Sequence, residues 1–178
     1  MIVVIAVALV GCNAQAPSAG APTAVAPLQA PTETGAREAS PEIIVDASIV
    51  ELDPAVLAGA TWTAKACALT SEENAREITA RRGQPLVMEG YVVDPSDAPA
   101  GGFDVVLKGD KQFRIPAHTG RSRPDVAAFF KVPALAEAGY LFSTTFGAVP
   151  PGTYAVDFML ERAGIKYFCE SGKTLVLQ

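Results

Sequence analysis

Arg121, Arg123 and Asp125 alternate in the run Arg121-Ser-Arg-Pro-Asp125, the stretch whose residue types could most readily do chemistry. Two guanidinium groups this close can grip an anion through paired N–H donors. The acid two positions on either pairs with them or sits near the positive end of a helix dipole, since the fixed φ of Pro124 suits a first helical position. Lys108, Lys111 and Arg114 come just before, and Asp110 is the one acid between positions 108 and 123. Such a cluster could face phosphate, an anionic saccharide or lipid head groups. The same side chains would equally serve as the solvated face of a hairpin and loop, where basic residues discourage edge-to-edge pairing.

Constellations for covalent or metal chemistry are not spelled out. A serine or cysteine hydrolase needs a nucleophile, a base and a group that orients the base. His118 is the single histidine, and it stands in the loop-like run Pro116-Ala-His-Thr-Gly120. There is no Gly-x-Ser-x-Gly elbow, no glycine-rich phosphate cradle and no Cys-x-x-Cys spacing for a metal. Asp94, Asp97, Asp125 and Glu137 could supply a glycosidase-type carboxylate pair if the fold brought two of them together; each also suits a turn, a helix start or a solvated loop. The expectation is a protein without catalytic residues, metal or cofactor. A net charge of −5 with 19% charged residues argues against nonspecific nucleic-acid binding.

The cysteines say where such a protein would work. Met1 to Val10 is wholly apolar, too short for the ~20 residues of a spanning helix but of the length of a secretory h-region. Leu9-Val-Gly-Cys12 is similar to a bacterial lipobox, in which the cysteine becomes the acylated N-terminus, carrying palmitate-type chains. The basic n-region is missing, which a start upstream of Met1 would supply; a plain cleavable signal or a buried apolar strand is the alternative. Asn13 to Ser40 is rich in Ala, Pro, Thr, Gln and Gly, so it cannot bury enough surface to offset the entropy of ordering. As a flexible coil this tether would span roughly 30 Å. With residues 1–11 as signal peptide and Cys12 lipidated, Cys67 and Cys169 are an even pair in an oxidising compartment, where a disulfide is expected; two separately buried thiols are the alternative.

The folded part is expected over 41–178. Ile43 to Leu52 and Trp62 to Cys67 read as strand-like runs, and Thr70-Ser-Glu-Glu73 has capping-box spacing before at most a brief helix. Glu77 to Ala80 fits that helix or a short strand. Phe103 to Lys108 and Lys111 to Ile115 flank Gly109-Asp110 as a hairpin, its glycine suited to a positive φ. Phe103, Val105, Leu107, Phe113 and Ile115 then face a core, and Asp104, Lys108, Gln112 and Arg114 face water. Pro124 opens a turn or two of helix whose Val126, Phe129 and Phe130 tuck under the sheet before Pro133 ends it. Tyr140 to Phe146 resumes as strand. After the turn at Pro150-Pro-Gly152, Tyr154, Val156, Phe158 and Leu160 alternate with Ala155, Asp157, Met159 and Glu161.

The ordered set Gly90-Tyr-Val-Val-Asp94, the hairpin, Arg123-Pro-Asp-Val-Ala127, Gly139-Tyr140, Pro151-Gly-Thr-Tyr154 and Lys166-Tyr-Phe168 resembles a bacterial immunoglobulin-like module over roughly residues 77 to 177. That module occurs in cell-envelope proteins and beside membrane-bound glycosyltransferases. Its pattern is a Gly-Trp-x-x-Asp strand, an Arg-x-Asp-Val-Ala turn and a Pro-Gly-x-His/Tyr strand start. Here Tyr91 replaces the usual Trp and Tyr140 stands where Phe is common. The resemblance implies an all-β, immunoglobulin-like antiparallel sandwich with one short helical turn, and an envelope address without a set activity.

Two functions fit. The first is a lipid-anchored envelope protein whose non-catalytic sandwich acts as an interaction or accessory module for another envelope protein, every aromatic lying in the core. The second is a saccharide-binding or saccharide-processing protein, with Tyr91, Tyr140 or Trp62 stacked on sugar and Arg121, Arg123 and Asp125 bonding its hydroxyls. Asn13 in place of Asp after the cysteine leans towards the outer rather than the inner membrane, by analogy with lipoprotein sorting. Lipidation makes a direct prediction: Cys12→Ala moves the protein from the membrane fraction to the soluble fraction. Cell fractionation checks it, and a mutant still firmly membrane-bound rules out the anchor.

Overall fold

A computed structural model describes residues 41–62, 66–71 and 75–178; the apolar start, Cys12, the tether and the two glutamates of the capping-box run lie outside them. In chain order the elements are β1 (Glu42–Ile43), a 3-10 turn (Asp46–Ser48), β2 (Val50–Glu51), helix α1 (Pro54–Ala58), β3 (Thr61–Trp62), β4 (Cys67–Leu69), β5 (Glu77–Ala80) and β6 (Leu86–Val92). Then follow β7 (Gly102–Lys108), β8 (Gln112–His118), helix α2 (Pro124–Phe130), a second 3-10 turn (Pro133–Glu137), β9 (Gly139–Thr144), β10 (Gly152–Arg162) and β11 (Ile165–Leu177).

These strands make two sheets. The small one runs β1-β9-β6-β4, and the large one β2-β8-β7-β10-β11-β3, with β5 also on β11. The long pairings are antiparallel, so the architecture is the expected all-β sandwich. Three short pairings, β1 with β9, β3 with β11 and β5 with β11, are parallel. Period-two alternation sends Phe103, Val105, Leu107, Phe113, Ile115, Val156, Phe158 and Leu160 inward from the large sheet, against Met88, Val92, Tyr140 and Phe142 of the small one.

Several local expectations change. The run Ile43 to Leu52 is not one strand, because β1 joins the small sheet and β2 the large one; the chain must turn between layers. Asp46 holds that turn by accepting a 2.6 Å hydrogen bond from Thr145 Oγ1. The outward face of the large sheet is not uniformly wet. Val106, Met159 and Phe168 are buried there beneath Leu52, Val56, Leu57 and Ala60, because α1 lies over them. Its start is legible afterwards in Asp53-Pro54: Asp53 Oδ1 accepts from the Ala55 amide at 2.8 Å, and Pro54 takes the first turn. Gly109 does not supply a positive φ. It is needed for space, since a Cβ there would lie 2.8 Å from the Tyr154 ring.

Two contacts tie the sheets and strands together. Cys67 on β4 is disulfide-bonded to Cys169 on β11, with Cα atoms 6.2 Å apart and 102 positions between them in sequence. The bond staples one sheet to the other, and a loop of this size would stabilise by up to about 4.7 kcal/mol on the chain-entropy account. Beside it, Tyr140 on β9 lies across Gly90 on β6 and its hydroxyl donates to the Ala68 carbonyl at 3.1 Å. Gly90 has to be glycine: a Cβ would run into the Ala68 oxygen and come within 2.6 Å of the Tyr140 hydroxyl. Gly90→Ala is therefore expected to destabilise the domain by about 1–3 kcal/mol, the usual cost of overpacking. Urea unfolding measures it; an unchanged midpoint removes the close-approach argument.

Candidate binding ledge on helix α2

The outward face of the small sheet carries the arginine stretch. Glu89 and Tyr91 point outward from β6, while Met88, Gly90 and Val92 point into the core. Backbone hydrogen bonds between Arg121 and Gly139 stitch the incoming loop to the start of β9, at 2.9 and 3.1 Å. Val126, Leu135 and Ala138 then close over Val93, with Tyr91, Ala127, Phe130 and Val132 packed around them. This satellite cluster seats α2, and left-handed Lys131, φ 58°, ends the helix before Pro133 is reached.

Neither arginine is free to grip an anion. Arg121 Nη1 donates to Glu89 Oε2 at 2.7 Å. Arg123 donates twice to Asp125, Nε to Oδ1 at 2.9 Å and Nη2 to Oδ2 at 2.7 Å, while its guanidinium carbon lies 5.4 Å from the centre of the Tyr91 ring. Hydrogen bonding to Asp125 raises the Arg123 pKa, and the same bonds from Arg123 hold the Asp125 carboxyl below its ordinary value. Asp125 thus pairs with Arg123 and also sits in the first turn of α2, where the backbone amides of Asp125 and Val126 add to the lowering; the cap position itself is Arg123, without a side-chain cap.

Tyr140, the remaining candidate, is 1% exposed in the core, where burial pushes its phenol well above the ordinary value. No ligand can stack on it. Trp62 is exposed on the other sheet, edge-on to Phe168 at 4.8 Å, with Lys108 Nζ 5.5 Å from its ring centre. The residue missed from sequence is Phe129. It was expected to tuck under the sheet, yet it is 78% exposed. Val126, Ala127 and Phe130 share the face that packs down, and Phe129 stands about 100° round the helix from the middle of that face. A seven-residue helix has one buried stripe. Phe129 and Phe130 stand three and four positions after Val126, and either spacing puts a residue on its face, so spacing alone does not choose between them.

Phe129, Phe130, Tyr91, Val126 and Asp125 line a pocket of about 300 Å³. Its rings meet edge to face, Phe129 on Phe130 at 4.9 Å and Phe130 on Tyr91 at 6.4 Å. A larger groove of about 580 Å³ lies on the opposite sheet and includes His118, Asp104, Arg114, Glu161 and Lys166. Size alone favours that groove, with its ion pairs Arg114–Asp104 at 3.7 Å and Lys166–Glu161 at 3.8 Å, but the one aromatic in its lining, Phe103, is buried and offers no exposed ring. The α2 ledge, with an exposed ring beside a fixed donor–acceptor pair, is the better site. Of the carboxylates that could have formed a catalytic pair, Asp94 and Asp125 line different pockets, Asp94 with Arg162 and Asp125 on the ledge. Among the described residues no group of three or more His, Cys, Asp or Glu is placed to hold a metal ion.

No protein-family model matches this chain, and no curated protein or solved structure matches it either.

Asp94 has a structural role that can be tested. Its carboxylate is buried, accepts from the Ser96 amide at 2.6 Å and from the Ser96 hydroxyl, and is gripped by Arg162 Nε. Burial alone would raise its pKa; the hydrogen bonds from Ser96 and Arg162 together outweigh burial and hold it below 3.8. A carboxyl depressed in the folded state adds stability above its unfolded pKa and loses it as pH falls through the folded value. Asp94→Asn should therefore cost about 1.5–3 kcal/mol at neutral pH, with the gap from wild type closing as pH drops below 3.8. Thermal melts across that range decide it; a gap independent of pH removes the charge from the explanation.

Proposed function

We propose that this protein is a non-catalytic recognition module of a bacterial cell envelope, held at a membrane by lipid on Cys12 and making its contacts through the α2 ledge. One observation carries the ledge as the contact surface: Phe129, expected in the core with the other aromatics, is 78% exposed at the lip of a formed pocket, on a helix whose Val126, Ala127 and Phe130 are packed down. A large ring left in water is ordinary by itself; beside a concave, partly polar site it suits recognition.

Two details support the immunoglobulin-like form of the sandwich. The disulfide bridges the two sheets, and the Tyr154 hydroxyl donates to the Pro150 carbonyl four residues upstream at 2.9 Å, in the manner of a tyrosine corner. The saccharide reading gains as well, because Tyr91, Arg123 and Asp125 meet at one place.

The module reading is tested with the full chain carrying Cys12→Ala, incubated with isolated envelope fragments and sedimented. Phe129→Ala is expected to lower the bound fraction about tenfold, the effect of losing roughly 1.4 kcal/mol, with an unchanged melting temperature. Equal sedimentation of the two proteins overturns the ledge as the contact surface.

A further inference from the structure

Resting on that reading, we infer that the α2 ledge takes an uncharged pyranose ring of a glycan, not an anion. The first reason is charge. Each arginine at the ledge already faces a carboxylate, Arg121 on Glu89 and Arg123 on Asp125, so the local charges cancel in pairs. A phosphate or uronate would have to displace Asp125 from a two-bond contact, and it would approach a chain of net charge −5.

The second reason is the kind of groups left over. A pyranose has an apolar C–H face and a rim of hydroxyls, each able to donate and accept. Phe129 offers a solvent-facing ring for the first, backed by Phe130 edge-on at 83° and walled by Tyr91. Arg123 and Asp125 suit the second. A guanidinium has five N–H donors and a carboxylate about four acceptor positions; the pair consumes two of each and backbone amides also face the carboxylate, which leaves Asp125 in the pocket lining as the main acceptor and the remaining Arg123 donors at its edge. The Asp125 side chain is 63% exposed and accessible to a ligand.

The third reason is rigidity and size. Arg123 is pinned by Asp125 at one edge and Tyr91 on one face, so little rotamer freedom remains to be lost on binding. A pocket of about 300 Å³ lies at the small end of the range for small-molecule sites, roughly 300–1,000 Å³, and matches one ring rather than an extended ligand.

The test titrates the full Cys12→Ala chain with neutral linear hexasaccharides, namely β-1,4-glucan, β-1,3-glucan, α-1,4-glucan and β-1,4-N-acetylglucosamine oligomers, and with a hexagalacturonate of equal length. At least one neutral sugar binds, with a Kd that moves less than about twofold between low and high salt, since no net charge is involved. Phe129→Ala and Asp125→Asn each weaken it about tenfold or more, whereas Lys111→Ala on the opposite sheet leaves it unchanged. Binding of none of the neutral sugars overturns the inference; so does preferred, salt-sensitive binding of the galacturonate, or neutral-sugar binding that survives Phe129→Ala. If the sugars fail while Phe129→Ala still abolishes sedimentation with envelope fragments, the ligand is another envelope component and the module reading stands. Should both fail, both fall.

Discussion

Strand β10 is hydrogen-bonded on both edges, to β7 and β11, and buried on both faces over Val156 to Leu160. A strand in that position cannot leave either face to water, so the rest of the fold has to cover it twice. The small sheet covers the inner face with Tyr140 and Phe142. The outer face, carrying Met159 beside Phe168 and in one cluster with Val106, needs Leu52 and α1. Asp157 makes the constraint costly: burial pushes its carboxyl pKa up, and Lys108, 2.9 Å away, opposes that rise. Lys108 is itself flanked by the rings of Phe168 and Trp62 at 5.0 and 5.5 Å, so an exposed tryptophan on this face is accounted for by the cation beneath it.

The small sheet meets the same requirement less completely. Its outward face is roofed near the β6–β9 end by α2 and the second 3-10 turn, through Val126, Leu135 and Ala138. The roof is one short helix and one 3-10 turn, and a helix this short has a single packing stripe. Phe129 falls outside the stripe and stays in solvent. The ledge is therefore not an arbitrary patch: it forms where a cover required by the sheet is too small to use all of its own aromatic residues.

Ion pairing decides what charge the ledge presents. Exposed pairs add little to stability, but they remove charge from whatever approaches. With Arg121 on Glu89 and Arg123 on Asp125, the basic stretch that stands out along the sequence becomes locally neutral in space. The partners come from different distances: Asp125 is two residues away, whereas Glu89 lies 32 residues earlier on β6. Only the first of these pairings is within reach of local reasoning.

That difference marks the division between sequence and tertiary structure. Alternation along Phe103 to Ile115 and Tyr154 to Glu161 determined the strands, the residues that face the inter-sheet core and the all-β sandwich, because side chains of a strand take its two faces in turn. Cysteine parity pointed to Cys67 and Cys169. The position of α2 followed from Pro124. Tertiary structure alone decided which outward faces are dry, since that depends on α1 arriving from far away in the chain, and why Gly90 and Gly109 are glycines, since the atoms that crowd them belong to Ala68, Tyr140 and Tyr154. It also placed Tyr140 inside and Phe129 outside. Both are aromatic residues in apolar runs, and what separates them is the number of neighbours within reach: Tyr140 is enclosed between two sheets, and Phe129 sits on a roof with nothing above it.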